Sequence, residues 1–254
     1  MAQHILTYKD NALLKNGDLL IKDIPEFADA PFSLIKQLAQ NGVIGDYWQL
    51  GDTKTFRGKY FNYTIRISDL QVGRYEVNGK PSHATFEFLA FERDTKSMGV
   101  SSGLTYDNTI VAQTLADPNE FVLDCLPSEL VALLEDTKIW IADTHDGSAF
   151  ATTKQFTCKL FAPAIAEMIV QSSGSYLNLE TKDKDGNTQL GAWDYYKTHT
   201  TASSRVKTEN YLNRASAYWL RTPSVSEWSF GSITSSGLFQ DYAGTICIAF
   251  AFAW

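Results

Sequence analysis

The chain has 254 residues, 44% of them hydrophobic and 20% charged, with a formal net charge of −7. That is the composition of an ordinary folded globule with room for one large domain or two small ones. The acidic balance argues against a nucleic-acid partner, because phosphate binding needs clustered Lys and Arg. The opening residues lack a basic stretch followed by a continuous apolar core, so no secretory leader is expected, and no apolar run reaches membrane-helix length. Cys125, Cys158 and Cys247 are odd in number, far apart and in apolar contexts, which predicts buried free thiols.

In chain order, Asn16-Gly17 predicts a turn between short strands at Ala12–Lys15 and Leu19–Lys22. Pro25 and Pro31 follow. Ser33 is expected to cap a short helix with Leu34, Ile35, Leu38 and Ala39 on its apolar face, stopped by Asn41-Gly42. Residues 1–45 are too few to bury a core alone, and read as a separate attachment or oligomerisation segment ahead of a domain at 46–254. From Tyr60 to Ile67 the chain alternates, with Phe61, Tyr63, Ile65 and Ile67 on one face, as in a half-buried strand. Asn78-Gly79 is a turn, and Ala84 to Phe91 is the returning strand.

Ser128 is expected to cap a helix carrying Leu130, Val131, Leu133 and Leu134. A short strand is expected at Ile139–Ala142, then a turn at Asp143–Gly147. Pro163 sits where a helix with Ile165, Met168 and Ile169 begins, and residues 208–216 suggest one last short helix. Strands and short helices mix without a βαβ rhythm, which predicts an α+β fold.

The last stretch, Tyr218 to Trp254, holds nine aromatic residues and three charges among its 37 residues. Apolar strands at Tyr218–Arg221 and Thr245–Trp254 frame a Ser- and Gly-rich middle, the pattern of a loop presented by a scaffold. The motif Tyr218-Trp219-Leu220-Arg221-Thr222-Pro223, the variable segment Ser224 to Gly237 and the terminal strand Gly244 to Trp254 resemble the C-terminal signature of an uncharacterised domain family of bacteria and their phages. Lys159 to Ala164 and Trp193 to Lys197 match it too, and Gly45 to Phe91 more loosely. That family is similar to C-type-lectin-like folds, the scaffold of phage receptor-binding proteins, of retroelement-diversified variable proteins and of formylglycine-generating enzymes. The resemblance implies a C-type-lectin-like domain with a small N-terminal extension.

Sites of chemistry are sparse. Asp183, Asp185 and Asp194 only loosely follow a calcium loop, with Thr188 where glycine is wanted. His4, His83, His145 and His199 have no zinc spacing. His145, between Asp143 and Asp146, reads as an acid–base group or as a surface turn. No Gly-x-Ser-x-Gly elbow or phosphate loop is present. Cys247 has no partner nearby in sequence, unlike the paired cysteines of formylglycine-type enzymes.

No metal, cofactor or catalytic residue is therefore expected. The expectation is a phage virion protein, capsid decoration or tail, assembled in the host cytoplasm. Its partners would be a host-cell surface protein or glycan, other virion proteins and further copies of itself, with no nucleic acid and no membrane insertion. The alternatives are an enzyme on this fold or an intracellular bacterial protein. The candidate binding residues are Ser224, Ser226, Trp228, Ser229, Phe230, Ser232, Thr234 and Tyr242, because Trp offers rigid contact area and Ser offers adaptable polar contacts. Trp228 and Phe230 share one face, which is either core or binding surface. Arg221 is expected to hold the loop through carbonyls or a carboxylate rather than touch a ligand.

Overall fold

The computed structural model describes residues 24–91, 95–98, 105–116, 121–146, 149–170, 182, 185–186, 190–210, 213–223, 230–242 and 244–254, with backbone strands at 12–15 and 18–21. The fold is mixed α+β, built mostly from sheets with a few short helices.

The innermost layer is a four-stranded antiparallel sheet in the order Ala251–Ala253, Thr85–Phe88, Asn62–Asp69, Thr53–Arg57. Alternation places Tyr63, Ile65 and Ile67 in the core as expected. Aromatic rings fill the space against this face: Phe86 stacks on Phe252 at 5.1 Å and Phe88 lies 4.3 Å from Phe250. Such contacts add to the large area each ring buries.

Helix Phe32–Gln40 covers this core with Phe32, Leu34, Ile35, Leu38 and Ala39. Phe27 packs between Trp48 at 5.3 Å and Phe86 at 6.2 Å. The expected boundary at residue 45 is thus corrected: residues 24–45 are part of the same core, because the helix's apolar stripe finds its partner on this sheet. The N-terminal hairpin matches expectation to within a residue, with Ala12–Lys15 antiparallel to Asp18–Ile21.

A second sheet of five strands runs Phe239–Tyr242, Phe230–Ile233, Tyr218–Pro223, Thr245–Ile248, Thr95–Ser97. Its one parallel pairing joins Tyr218–Pro223 to Thr245–Ile248. The terminal apolar run is therefore two strands in different sheets, switching at Ala249 and Phe250, rather than one strand. A long hairpin, Thr137–Asp146 with Ala149–Cys158, carries the tiny hairpin Glu76–Val77 and Lys80–Pro81 on its edge.

Several local expectations are corrected. Ser33 and Ser128 lie inside their helices, and Pro31 and Pro127 occupy the caps. Pro163 stands one residue before the cap, Ala164, of helix Ile165–Met168. Residues 143–146 continue the long strand instead of turning. Residues 208–216 hold parts of two antiparallel strands, Lys207–Glu209 and Arg214–Ser216, with Asn213 in the left-handed region at φ 48°. Cys125, Cys158 and Cys247 are buried and not joined in disulfides, and burial pushes the Cys158 thiol up to about 12. Among the described residues no helix is long and apolar enough to cross a membrane.

Candidate functional site

The frame beneath the C-terminal segment is built by a salt bridge with no exposure to water. Arg221 is the only charge in the strand Tyr218–Pro223, all of which is buried. Its Nη1 donates to Glu167 Oε2 at 2.8 Å and its Nη2 to Glu167 Oε1 at 2.5 Å. Nη1 also donates to the Ala162 carbonyl, at 2.8 Å. Arg221 therefore does what its sequence context predicts: it ties the strand to a carboxylate and a carbonyl. Glu167 Oε2 accepts the Ala164 N–H at 2.8 Å, capping the helix it belongs to, and Glu167 Oε1 accepts the Tyr75 hydroxyl at 2.7 Å. Trp193 Nε1 closes the chain on Tyr75 Oη at 3.0 Å. Every polar atom taken from water in this cluster thus has a partner, as burial requires.

A second buried cluster centres on Glu87. Arg66 Nη2 reaches it at 2.5 Å, Lys207 Nζ at 2.7 Å, Ser68 Oγ at 2.5 Å and Tyr196 Oη at 2.9 Å. Burial alone would raise the Glu87 carboxyl, but Arg66 and Lys207 outweigh it and hold the group down at about 2. Arg66 also lies 3.5 Å over the Tyr195 ring, whose other neighbour, His199, stacks at 4.1 Å. Nearby, Asp69 takes Arg74 Nε at 2.5 Å and the Asp194 N–H at 2.9 Å. Here burial wins, and the Asp69 carboxyl rises to about 6 despite Arg74.

Upon this frame stands the hairpin Phe230–Ile233 and Phe239–Tyr242. Its turn is pinned from below. Arg205 Nε donates to the Gly237 carbonyl at 3.0 Å, and Tyr218 Oη donates to the Arg205 carbonyl at 2.6 Å. Gly237 has φ +82°, and a Cβ there would fall 1.8 Å from the Ala202 carbonyl oxygen, so only glycine fits. Within the turn, the Thr234 hydroxyl accepts the Leu238 N–H at 3.0 Å and lies 2.9 Å from the Ser236 hydroxyl.

This geometry divides the predicted binding residues. Phe230 and Ser232 are 3% and 0% exposed, so both are core positions and not contact residues. The intervening Gly231 faces the other way, and a Cβ on it would meet Ile165 at 2.7 Å and Phe239 at 2.9 Å, so this strand is covered on both faces. Thr234 is half-buried in the turn. Tyr242 pairs with Phe230 along the backbone. Ser224, Ser226, Trp228 and Ser229, and the side chain of Tyr242, lie outside the described residues. The exposed part of the hairpin consists of Ser235, Ser236, Leu238, Phe239 and Asp241. Leu238, at the end of the turn, is 57% exposed, and Phe239, which opens the edge strand of the sheet, is 39% exposed. All five lie in the Ser- and Gly-rich middle that the sequence marks as a presented loop, but none is among the eight candidate binding residues.

Among the described residues no three His, Cys, Asp or Glu side chains gather as a metal-binding group. Asp194 pairs with Lys197 at 2.8 Å, Asp183 and Thr188 lie outside the described residues, and so does the His145 side chain. No family model, no curated protein and no solved structure matches the chain.

Proposed function

We propose that the chain is a non-catalytic binding module, a phage virion protein of decoration or tail type, that displays its C-terminal hairpin to a receptor on the host cell. The observation that carries this reading is a contrast within one sheet. The strand Tyr218–Pro223 is wholly buried and locked by Arg221 to Glu167. Two strands away, the same sheet ends in an edge with Leu238 and Phe239 exposed beside hydroxyl-bearing turn residues. Exposed apolar side chains on a rigid support lose little entropy on contact, and serines next to them offer adaptable hydrogen bonds. The C-terminal motif's resemblance to phage and bacterial domains of C-type-lectin-like type supports the virion setting and a receptor that is a surface protein or glycan.

The test is binding of the purified full chain to intact bacterial cells, comparing wild type with Leu238→Ser/Phe239→Ser. The double variant should bind at least about tenfold more weakly; Leu238→Ser alone, at a side chain 57% exposed, should weaken binding with a melting temperature within a few degrees of wild type, whereas Phe239 also covers Gly231 and its loss costs some stability. Equal binding by the two proteins would remove the hairpin from the recognition surface.

A further inference from the structure

A cleft of about 480 Å³ opens on the side of the molecule formed by the end of helix Phe32–Gln40, the turn Asn78-Gly79 and Glu135. Its size falls in the range of small-molecule sites. It uses none of the residues of the C-terminal hairpin.

The chemistry of the lining is organised by Glu135. Its carboxylate accepts Gln40 Nε2 at 2.9 Å and Asn78 Nδ2 at 3.3 Å, and Lys36 Nζ neutralises it at 3.1 Å. A carboxylate only accepts, so both amides must turn their NH2 groups towards it. That fixes their orientation and leaves each with a carbonyl oxygen that has no other partner among the described residues. Asn41 is in the same state: its Nδ2 is used on the Gln37 carbonyl at 2.7 Å, and its Oδ1 remains. Three side-chain carbonyl acceptors thus belong to residues that line the cleft.

Donors come from His83 and Lys80. His83 Nδ1 is buried without a partner among the described residues, against Gly42, where a Cβ would lie 3.0 Å away. An N–H there would have no acceptor, so Nδ1 stays a bare lone pair and the proton sits on Nε2. Burial also lowers the His83 pKa, which keeps the ring neutral. Lys80 adds an ammonium group at the rim. Trp254 closes the cleft but is 1% exposed, with Nε1 on the Leu133 carbonyl, so it offers no ring face for stacking.

With Glu135 already paired to Lys36, an anion meets three carbonyl oxygens in this cleft and a cation meets Lys80. Hydroxyl groups, which donate and accept at once, satisfy both the acceptors and the donors without charge. We propose that this cleft is a binding site for a neutral polyhydroxyl ligand, a saccharide unit held by hydrogen bonds to Gln40, Asn41, Asn78 and His83. The inference stands independently of the receptor-binding reading of the hairpin. Recognition without ring stacking predicts a Kd of about a millimolar.

The experiment is a titration of the isotope-labelled full chain, followed by NMR of its side-chain amides. The probes are glucose, galactose, mannose, rhamnose and N-acetylglucosamine, with methylguanidinium and inorganic phosphate as charged competitors. At least one sugar should shift the Gln40, Asn41 and Asn78 amide signals saturably. The variant Gln40→Ala/Asn78→Gly should weaken that binding at least about tenfold with an unchanged melting temperature, since both side chains are at the surface and glycine accepts the φ of 52° at position 78. Gln40→Ala alone serves if the turn substitution disturbs folding. The proposal is overturned if no sugar gives a saturable shift or if the shifts survive in the variants. Tighter binding of methylguanidinium or phosphate to the same amides would also overturn it.

Discussion

Arg221 and Glu167 meet in a fork-to-fork pair with no exposed atom, 54 residues apart in the chain. The pair joins the buried strand of the C-terminal sheet to the helix that opens after Pro163. Each partner also holds backbone groups, the Ala162 carbonyl and the Ala164 N–H. Removing either member leaves an uncompensated charge in the interior. Glu167→Ala and Arg221→Ala should each cost about 3–5 kcal/mol in urea unfolding. Arg221→Lys should recover only part of this loss, because an ammonium cannot make two parallel bonds. Full stability in Arg221→Ala would mean that the pair is not what fixes the frame.

The two buried carboxylates Glu87 and Asp69 respond oppositely to pH. Glu87 is held at about 2, below its ordinary 4.5. The unfolded chain therefore takes up that proton first as pH falls, and stability present above about 4.5 is lost on the way down to about 2, up to about 3 kcal/mol. Asp69 is raised from 3.8 to about 6. The folded chain binds that proton more tightly, so its contribution is complete below about 4 and is lost as pH rises through about 6, again up to about 3 kcal/mol. Urea unfolding between about pH 3 and pH 8 should show a stability maximum near pH 4–5. Asp69→Asn should flatten the limb on the neutral side and leave the acid limb. A monotonic rise to pH 7 in the wild type would contradict the Asp69 assignment.

These same clusters show where reading the sequence succeeds and where it stops. Arg221 is legible because a lone charge in an apolar strand must find an acceptor, and the alternation of Tyr63, Ile65 and Ile67 marks the core face. The opposite face of that strand is misleading. Arg66 reads as solvated there, yet it is buried against Glu87, because polar alternation is identical for water and for a buried counter-charge. Glu167 is not legible as Arg221's partner, since nothing local signals a contact between distant segments. Phe230 and Ser232 read as contact residues because they stand in a Ser- and Gly-rich segment; Gly231 between them instead lets Ile165 and Phe239 approach the strand. The cleft is hidden for a related reason: the polar face of helix Phe32–Gln40 looks merely solvated until Asn78 and Glu135 are brought beside it.

The N-terminal boundary can be tested by truncation. Phe27, Leu34, Ile35 and Leu38 are all within the core, at 2%, 2%, 0% and 0% exposure. Deleting residues 1–23 should leave a cooperative unfolding transition, because no described core residue is removed. Deleting 1–45 strips the helix from the central sheet and should abolish the transition, since four such side chains contribute several kcal/mol together, comparable to the whole stability of a domain. A cooperative transition in the longer deletion would restore residue 45 as the domain boundary.

The hairpin turn offers the last test, because two glycines of similar φ differ in their surroundings. Gly79 has φ +77° with open space where a Cβ would go, and Gly237 has φ +82° with the Ala202 carbonyl in that position. Gly79→Ala incurs only the left-handed backbone penalty, about 1–2 kcal/mol. Gly237→Ala incurs the same penalty and also cannot keep the turn seated on residues 202–205, so Arg205 loses its bond to the Gly237 carbonyl. The expected outcome is a larger loss for Gly237→Ala, by about 1–3 kcal/mol, in parallel urea titrations. The displaced turn carries Leu238 and Phe239 with it, so Gly237→Ala should also weaken cell binding, whereas Gly79→Ala should not. Equal losses of stability from the two substitutions would show that the turn is free to lift from the frame. The exposed pair Leu238 and Phe239 would then not be a preorganised surface.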